Sequence, residues 1–289
     1  MTTTVPIIYS FKELNGVAEA VSDHIIATQN RTLFGDIRKD SGDVPATNES
    51  TTKVTTKKKK DTRPKRFKIA LSGGSLIQVL NEGLLKREDV LWDKWDVYFA
   101  DERLVPFDSP ESNYGLAKRK LFDLLPEDKK PTIYHIDESL INDPQECADS
   151  YEKTLIKGFA NKDSVKLPMF DLLLLGCAPD GHIASLFPNH GETLREKYAW
   201  VVPVENAPVG PKTRITLTIP VICHSHQVTF VVEGAVKAPV LKTIMERPEK
   251  GLPSSIVNEG AASRVAWFVD DEALNDVSVT KKKYKFLVE

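Results

Sequence analysis

Only three cysteines, Cys147, Cys177 and Cys223, occur among the 289 residues. That is too few for a disulfide framework or a zinc cluster and implies reduced thiols in a cytosolic or nuclear protein. Long hydrophobic runs are also missing, since none approaches the roughly 18 residues of a membrane span. The opening MTTTVPIIYSF carries neither a basic n-region nor a small-residue cleavage site, so no secretory signal is visible. Neither of the two familiar phosphate-loop patterns, GxxxxGK[ST] or GxGxxG, is present, and there is no internal repeat. A strong charge of one sign is lacking too: 39 Lys and Arg stand against 41 Asp and Glu, for a net charge of -2.

That near-balance is an average over unlike parts. Residues 30–66 hold 11 basic and 5 acidic residues, and 281–285 hold four lysines and no acid, so the remaining body is acidic. From Asp36 to Lys60 the chain is almost free of large apolar residues and cannot offset its ordering entropy by burial. We therefore expect a basic disordered insertion at about 36–66 and a basic tail at about 276–289, both appended to a single domain spanning 1–289.

The rest alternates strand and helix signals. Ser10 and Glu13 form a capping-box pattern ahead of Phe11, Leu14, Val17, Val21 and Ile25, which predicts one amphipathic helix ending near Asn30. Strands are expected at 67–71, 97–100, 132–136 and 170–175, then in AWVVPV, RITLTI, VTFVVEG and VAWFV. Helices are expected after Ser75 and at 144–160, 235–246 and 270–275. Several strands are continuously apolar, which indicates an α/β fold with a mostly parallel sheet covered by helices on both faces. Ligands of such sheets bind beyond the carboxyl ends of the strands.

Three polar clusters follow strands. Ser72-Gly73-Gly74-Ser75 combines glycines that permit close backbone approach with the start of a helix, an arrangement suited to an anion or simply a tight turn. Asp101-Glu102-Arg103, with Ser112-Asn113 downstream, is either a solvated strand end or part of a site. Asp180-Gly181-His182 sets a carboxylate beside an imidazole, the side chain best suited to exchange protons near neutral pH. Arg214 and Lys237 are ordinary surface charges when taken singly; together with the glycine turn they make a phosphate receptor. His224 and His226 have no carboxylate or thiol cluster around them, so no metal site is read there.

Together LSGGS (71–75), FADERLVPFDSPESNYGL (99–116), LLLLGCAPDGHIASLFPNH (172–190), RITLTIPVI (214–222), VVEGAVKAPVL (231–241), LPSSIV (252–257) and WFVDDEAL (267–274) resemble the 6-phosphogluconolactonase family. That family shares its Rossmann-like fold with the glucosamine-6-phosphate isomerases. The resemblance implies hydrolysis of 6-phospho-D-glucono-1,5-lactone to 6-phosphogluconate, in the oxidative pentose phosphate pathway, without metal or organic cofactor. It implies His182 as general base with Asp180 setting the site. Gly73, Gly74, Ser75, Arg214 and Lys237 would hold the phosphate, with Asp101, Arg103 and Asn113 in or beside the pocket. The sibling deaminases follow their Asp-Gly-His motif with an Asn-Glu pair, where this chain has Leu186-Phe187, so that activity ranks low.

The chain departs from the lactonase pattern at Ala178, usually glycine, and at Ile183, usually threonine. If the backbone at 178 requires positive φ, its Cβ strains the loop; at 183 a hydroxyl beside the imidazole is lost. Many members also have Thr-Pro where this chain has Leu76-Ile77. With the basic insertion, these features resemble the fungal Sol-type branch, some of whose paralogues are linked to tRNA movement between nucleus and cytoplasm. The competing expectation is therefore a weak or inactive lactonase-fold protein in RNA handling. Lys57 to Arg66 would meet tRNA, a nuclear transport factor, or nothing but solvent. The expected location is the cytoplasm, with that run as a candidate nuclear address.

Overall fold

The computed structural model describes residues 6–35, 64–159 and 167–287. Eight strands form one wholly parallel sheet: β1 (Ile7–Phe11), β2 (Phe67–Leu71), β3 (Trp95–Phe99), β5 (Thr132–Ile133), β6 (Leu172–Leu175), β9 (Val228–Val232), β10 (Val265–Asp270) and β11 (Lys281–Lys282). Their order across the sheet is β11-β1-β10-β9-β6-β2-β3-β5. From β2 the chain runs outward to β3 and β5, then returns to add β6, β9 and β10 on the other side. The direction of winding thus reverses between β2 and β6, opening a crevice at their carboxyl ends.

The expected sheet and two-sided cover are present. On one face α1 (Leu14–Phe34), α2 (Ser75–Leu84) and α3 (Asn113–Lys120) bury Val17, Val21, Leu76, Leu80 and Ala117 against β2, β3 and β6. On the other face α4 (Pro144–Phe159), α6 (Ile219–His224), α7 (Ala238–Glu246) and α8 (Pro253–Gly260) supply Tyr151, Leu155, Ile222, Leu241 and Val257. A short α5 (Gly191–Arg195) lies between them in sequence. The all-buried run Leu172–Leu175 needs apolar neighbours on both sides and finds them.

Four expectations need correction. Ser10 and Phe11 belong to β1, which pairs in parallel with β10, and Ser10 Oγ bonds Asp271 rather than capping a helix. The cap position of α1 is Glu13, whose side chain makes no capping bond, and the helix runs on to Phe34. Asp101–Arg103 is a strand, β4, and pairs antiparallel with β8 (Arg214–Leu217). Together with β7 (Val201–Val204) it makes a separate three-stranded sheet, so AWVVPV and RITLTI do not extend the main one. Two hydrogen bonds through Ala100, to the Leu71 carbonyl and from Leu217 N–H, both 2.8 Å, tie this small sheet over the crevice. The element expected at 270–275 is one 3-10 turn, Glu272–Leu274, and the helices at 219–224 and 253–260 were not anticipated.

Most of the basic insertion lies outside the described residues, but its end does not. Arg66 is part of the fold. Its Nε donates to Asp96 Oδ1 at 2.6 Å, and its remaining N–H groups reach the carbonyls of Asp93 and Trp95 and the Thr132 hydroxyl. The expected basic tail packs as well. Lys281 and Lys282 form β11 against β1, Tyr284 stacks edge-on against Tyr9, and its hydroxyl donates to Asp23 at 3.0 Å. The lysines of this segment keep their side chains in solvent.

Candidate active site

Every loop that leaves the carboxyl ends of β2, β3, β6 and β9 contributes to one cavity of about 230 Å³. Its wall includes Gly73, Gly74 and Ser75 after β2, Asp101 and Arg103 after β3, Ala178 and His182 after β6, and Glu233 and Lys237 after β9. Of the residues singled out from sequence, these seven wall positions among Gly73, Gly74, Ser75, Asp101, Arg103, His182 and Lys237 are brought together, with Asp180 one bond away.

The two glycines of the turn do different jobs. A Cβ at Gly73 would stand 1.8 Å from Asn113 Oδ1, so glycine is needed there for close approach. Gly74 has φ +71° and caps α2, where it turns the first backbone N–H groups of that helix outward. Asn113 is not on the wall. It is buried behind the turn and donates Nδ2 to the Asp101 carbonyl at 2.9 Å and to Asp101 Oδ1 at 3.2 Å. Ser185 Oγ donates to the other Asp101 oxygen at 2.6 Å. Asp101 is thus a fixed, buried carboxylate with three hydroxyl or amide partners, Ser72 Oγ being the third at 3.4 Å.

Glu102 had no role assigned from sequence, and the fold gives it one. Its carboxylate accepts the N–H groups of Arg103, Asn113 and Tyr114 at 2.8, 2.7 and 2.8 Å, so it ties β4 to the start of α3. Burial pushes its pKa up to about 7, against the pull of those N–H donors. With it in place, Arg103 reaches the cavity while one terminal nitrogen bonds the Glu111 carbonyl at 2.9 Å.

His182 Nδ1 lies 2.6 Å from Asp180 Oδ1, and the same oxygen accepts the His182 backbone N–H at 3.2 Å. A carboxylate partner holds the proton on Nδ1, so the lone pair resides on Nε2. The ring packs on buried Phe187 with centroids 4.4 Å apart. Burial pulls its pKa below the ordinary imidazole value, more than the Asp180 charge restores, so the ring is neutral at pH 7. A neutral, carboxylate-oriented imidazole in a concave polar site is equipped as a general base.

Arg214 is placed otherwise than expected. It is 1 % exposed and off the cavity wall, because its side chain turns into the loop before β8 and is held by carbonyls there. Nε donates to the Pro211 carbonyl at 3.0 Å, a second nitrogen to the Val209 carbonyl, and the guanidinium lies 5.2 Å from the Phe187 ring centre. Its third nitrogen meets Ser185 Oγ at 3.4 Å. Arg214 therefore braces the Ser185–Asp101 pair and lends positive charge from behind. Lys237 does line the cavity, with Nζ bonded to the Cys177 carbonyl at 2.8 Å.

Of the two departures from the family pattern, Ala178 lines the cavity and Ile183 does not. Ala178 is not among the residues with positive φ; the left-handed positions of this loop are Gly181, at φ +89°, and Ala184, at φ +47°. Ile183 is 1 % exposed and packs in the core, so no hydroxyl is withdrawn from the cavity. Glu233 is the wall residue that sequence reasoning missed. The available signal was an acidic side chain immediately after the apolar strand VTFVV.

The family profile of glucosamine-6-phosphate isomerases/6-phosphogluconolactonase matches residues 45–267. The chain belongs to this family. It is 67 % identical to the 6-phosphogluconolactonase-like protein 1 of Saccharomyces cerevisiae, over 99 % of this chain and 98 % of that one. It is 49 % identical to the probable 6-phosphogluconolactonase of Schizosaccharomyces pombe, over 72 % of this chain and 82 % of that one. Among solved structures, the 6-phosphogluconolactonase from Trypanosoma cruzi superposes with a TM-score of 0.70 at 26 % identity, covering 96 % of this chain and 99 % of its own. Phe187 supports the imidazole through its ring.

Among the described residues no cluster of three His, Cys, Asp or Glu side chains suits a metal ion. Nor is any described helix long and apolar enough to cross a membrane. Of the basic run at 57–66, residues 57–63 lie outside the described residues and Arg66 is committed to the fold. No observation among the described residues favours a nucleic-acid or transport-factor contact.

Proposed function

We propose that this protein hydrolyses 6-phospho-D-glucono-1,5-lactone to 6-phosphogluconate. The observation that carries the reading is the Asp180–His182 pair at 2.6 Å, set in a cavity that also presents Arg103, Lys237 and the N-terminal N–H groups of α2. A lactone is an activated ester, so water needs a base and the ligand needs orientation and charge stabilisation.

In this reading a water molecule gives its proton to His182 Nε2 as its oxygen attacks C1 of the lactone. Asp180 stabilises the imidazolium that forms. The C1 oxyanion then collapses, the C1–O5 bond breaks, and the imidazolium returns its proton to the departing ring oxygen. The phosphate is gathered at Arg103, while Lys237 adds positive charge to the cavity wall and Arg214 acts from behind. This local positive charge offsets the acidic body of the protein.

The test is lactone hydrolysis coupled to 6-phosphogluconate oxidation, with the spontaneous rate subtracted. Wild-type protein should exceed background, and His182→Ala should lose about 10²- to 10⁴-fold of the excess. A well-folded wild type that merely matches the spontaneous rate would refute the reading.

A further inference from the structure

Two buried polar atoms on the cavity wall lack a hydrogen-bond partner, and they are of opposite kind. Arg103 Nε is a donor without an acceptor, and Glu233 Oε2 is an acceptor without a donor. Leaving either group unmade costs about 1–3 kcal/mol, more for a charge. A fold keeps such a cost most readily where a ligand removes it.

Glu233 directly follows β9, and the next residue fixes it: Gly234 N–H donates to both Asp270 oxygens, at 3.0 and 2.8 Å. The Ser75 hydroxyl donates a hydrogen bond to its carboxyl, leaving Oε2 without a donor, and the other groups facing it are Asp270, Glu82 and Lys237. Two of them are acids, and Lys237 directs its ammonium to the Cys177 carbonyl. Burial beside these acids raises the pKa of Glu233. A phosphate brings only negative charge and acceptors to this point, so it belongs at Arg103 instead. A sugar hydroxyl brings the missing donor.

We propose that Glu233 is a specificity-determining residue, accepting a hydrogen bond from a sugar hydroxyl of the bound phosphorylated aldonolactone while Arg103 takes its phosphate. The proposal rests on the lactonase reading, since it concerns the same cavity and ligand. It divides that cavity into a phosphate end and a hydroxyl-reading end, and so fixes which way round the ring enters.

The experiment uses the full chain as wild type, Glu233→Ala and Glu233→Gln. Binding of 6-phosphogluconate and its 2-, 3- and 4-deoxy analogues is measured by calorimetry, with KM and kcat for the lactone alongside. Glu233→Ala should weaken 6-phosphogluconate binding and raise KM by about 10- to 100-fold, the loss of one hydrogen bond to a charged group, and should change kcat far less. Glu233→Gln keeps an acceptor and should lose less. One deoxy analogue should bind wild type as weakly as the parent binds Glu233→Ala, and that variant should not tell the two apart.

Unchanged or tighter binding by Glu233→Ala would overturn the proposal. So would deoxy penalties equal in wild type and variant. Were the alanine variant not to fold, Glu233→Gln decides: its largest deoxy penalty must fall below that of wild type. Hydrolysis by wild type with no Glu233 effect sinks this proposal alone. Glu233-dependent 6-phosphogluconate binding without hydrolysis sinks the lactonase reading alone.

Discussion

Replacing Gly73 with alanine tests how the fold holds its fixed carboxylate. The new methyl would sit 1.8 Å from Asn113 Oδ1 and 2.4 Å from its Cγ, well inside contact, so Asn113 must leave its position. Asn113 is 2 % exposed and spends its amide on Asp101, at 2.9 and 3.2 Å. Overpacking of this sort costs about 1–3 kcal/mol, and stranding a buried acceptor adds about 1–3 kcal/mol. Gly73→Ala should therefore destabilise by roughly 2–6 kcal/mol by that bookkeeping. Asn113→Ala removes the same bonds without the clash and should cost about 2–3 kcal/mol. The informative measurement is the double variant. Once the Asn113 side chain is gone, nothing remains for the Gly73 methyl to strike, so the two losses should fall short of their sum by at least about 1 kcal/mol. Urea denaturation followed by tryptophan fluorescence supplies all four stabilities. Strict additivity would mean that Gly73 is not there to admit Asn113.

Further outcomes follow from single contacts. Asp180→Asn removes both the carboxylate that orients His182 and the charge that raises its pKa; hydrolysis should fall by about 10²-fold or more, with the acid limb of the remaining pH profile moved to lower pH. In wild type that limb should lie below the ordinary imidazole value, because burial favours the neutral base; a limb above pH 7 would contradict the assignment. His24, packed on Phe268 and bonded to Thr229, has its pKa lowered to about 4. Both states are neutral above pH 6.5, whereas between 6.5 and 4 only the unfolded chain takes up the proton. Stability should then decline with falling pH by up to about 3 kcal/mol, a slope that His24→Phe should flatten. Restoring the family pattern with Ile183→Thr should lower stability by about 1–3 kcal/mol through a hydroxyl buried in the core, without raising activity; a rate gain would show that the hydroxyl reaches the cavity after all. Arg66→Ala should cost about 1–3 kcal/mol by freeing buried Asp96.

The strand-end motifs were legible because they are compact in sequence and each follows a strand whose apolar run marks it as central. That places Gly73 to Ser75, Asp101 with Arg103, Asp180 with His182, and Lys237 at one edge of the sheet from the sequence itself. What failed were readings that depend on partners distant in sequence. Ser10 looked like a cap because Glu13 is near in sequence, yet β10 lies beside it in space and turns it into a strand residue. Arg214 reads as a phosphate ligand from sequence, yet the carbonyls of Val209 and Pro211 hold its guanidinium off the cavity wall. Ala178 looks strained through comparison of residue types alone, while the backbone takes positive φ at Gly181 and Ala184 instead.

Sequence alone determined that this chain is an α/β protein with a parallel sheet, a carboxylate beside an imidazole after one strand, and basic residues near the strand ends. Those properties reside in local patterns: apolar runs, glycine turns, and a carboxylate two residues from a histidine. Tertiary structure alone decided which cations reach the cavity and which brace it, and that Glu233 stands on its wall. Burial and hydrogen bonding between strands far apart in the chain set those roles, and no local pattern encodes them. The few cysteines and the balanced charge excluded many chemistries; the unpartnered carboxylate oxygen points to a particular ligand group.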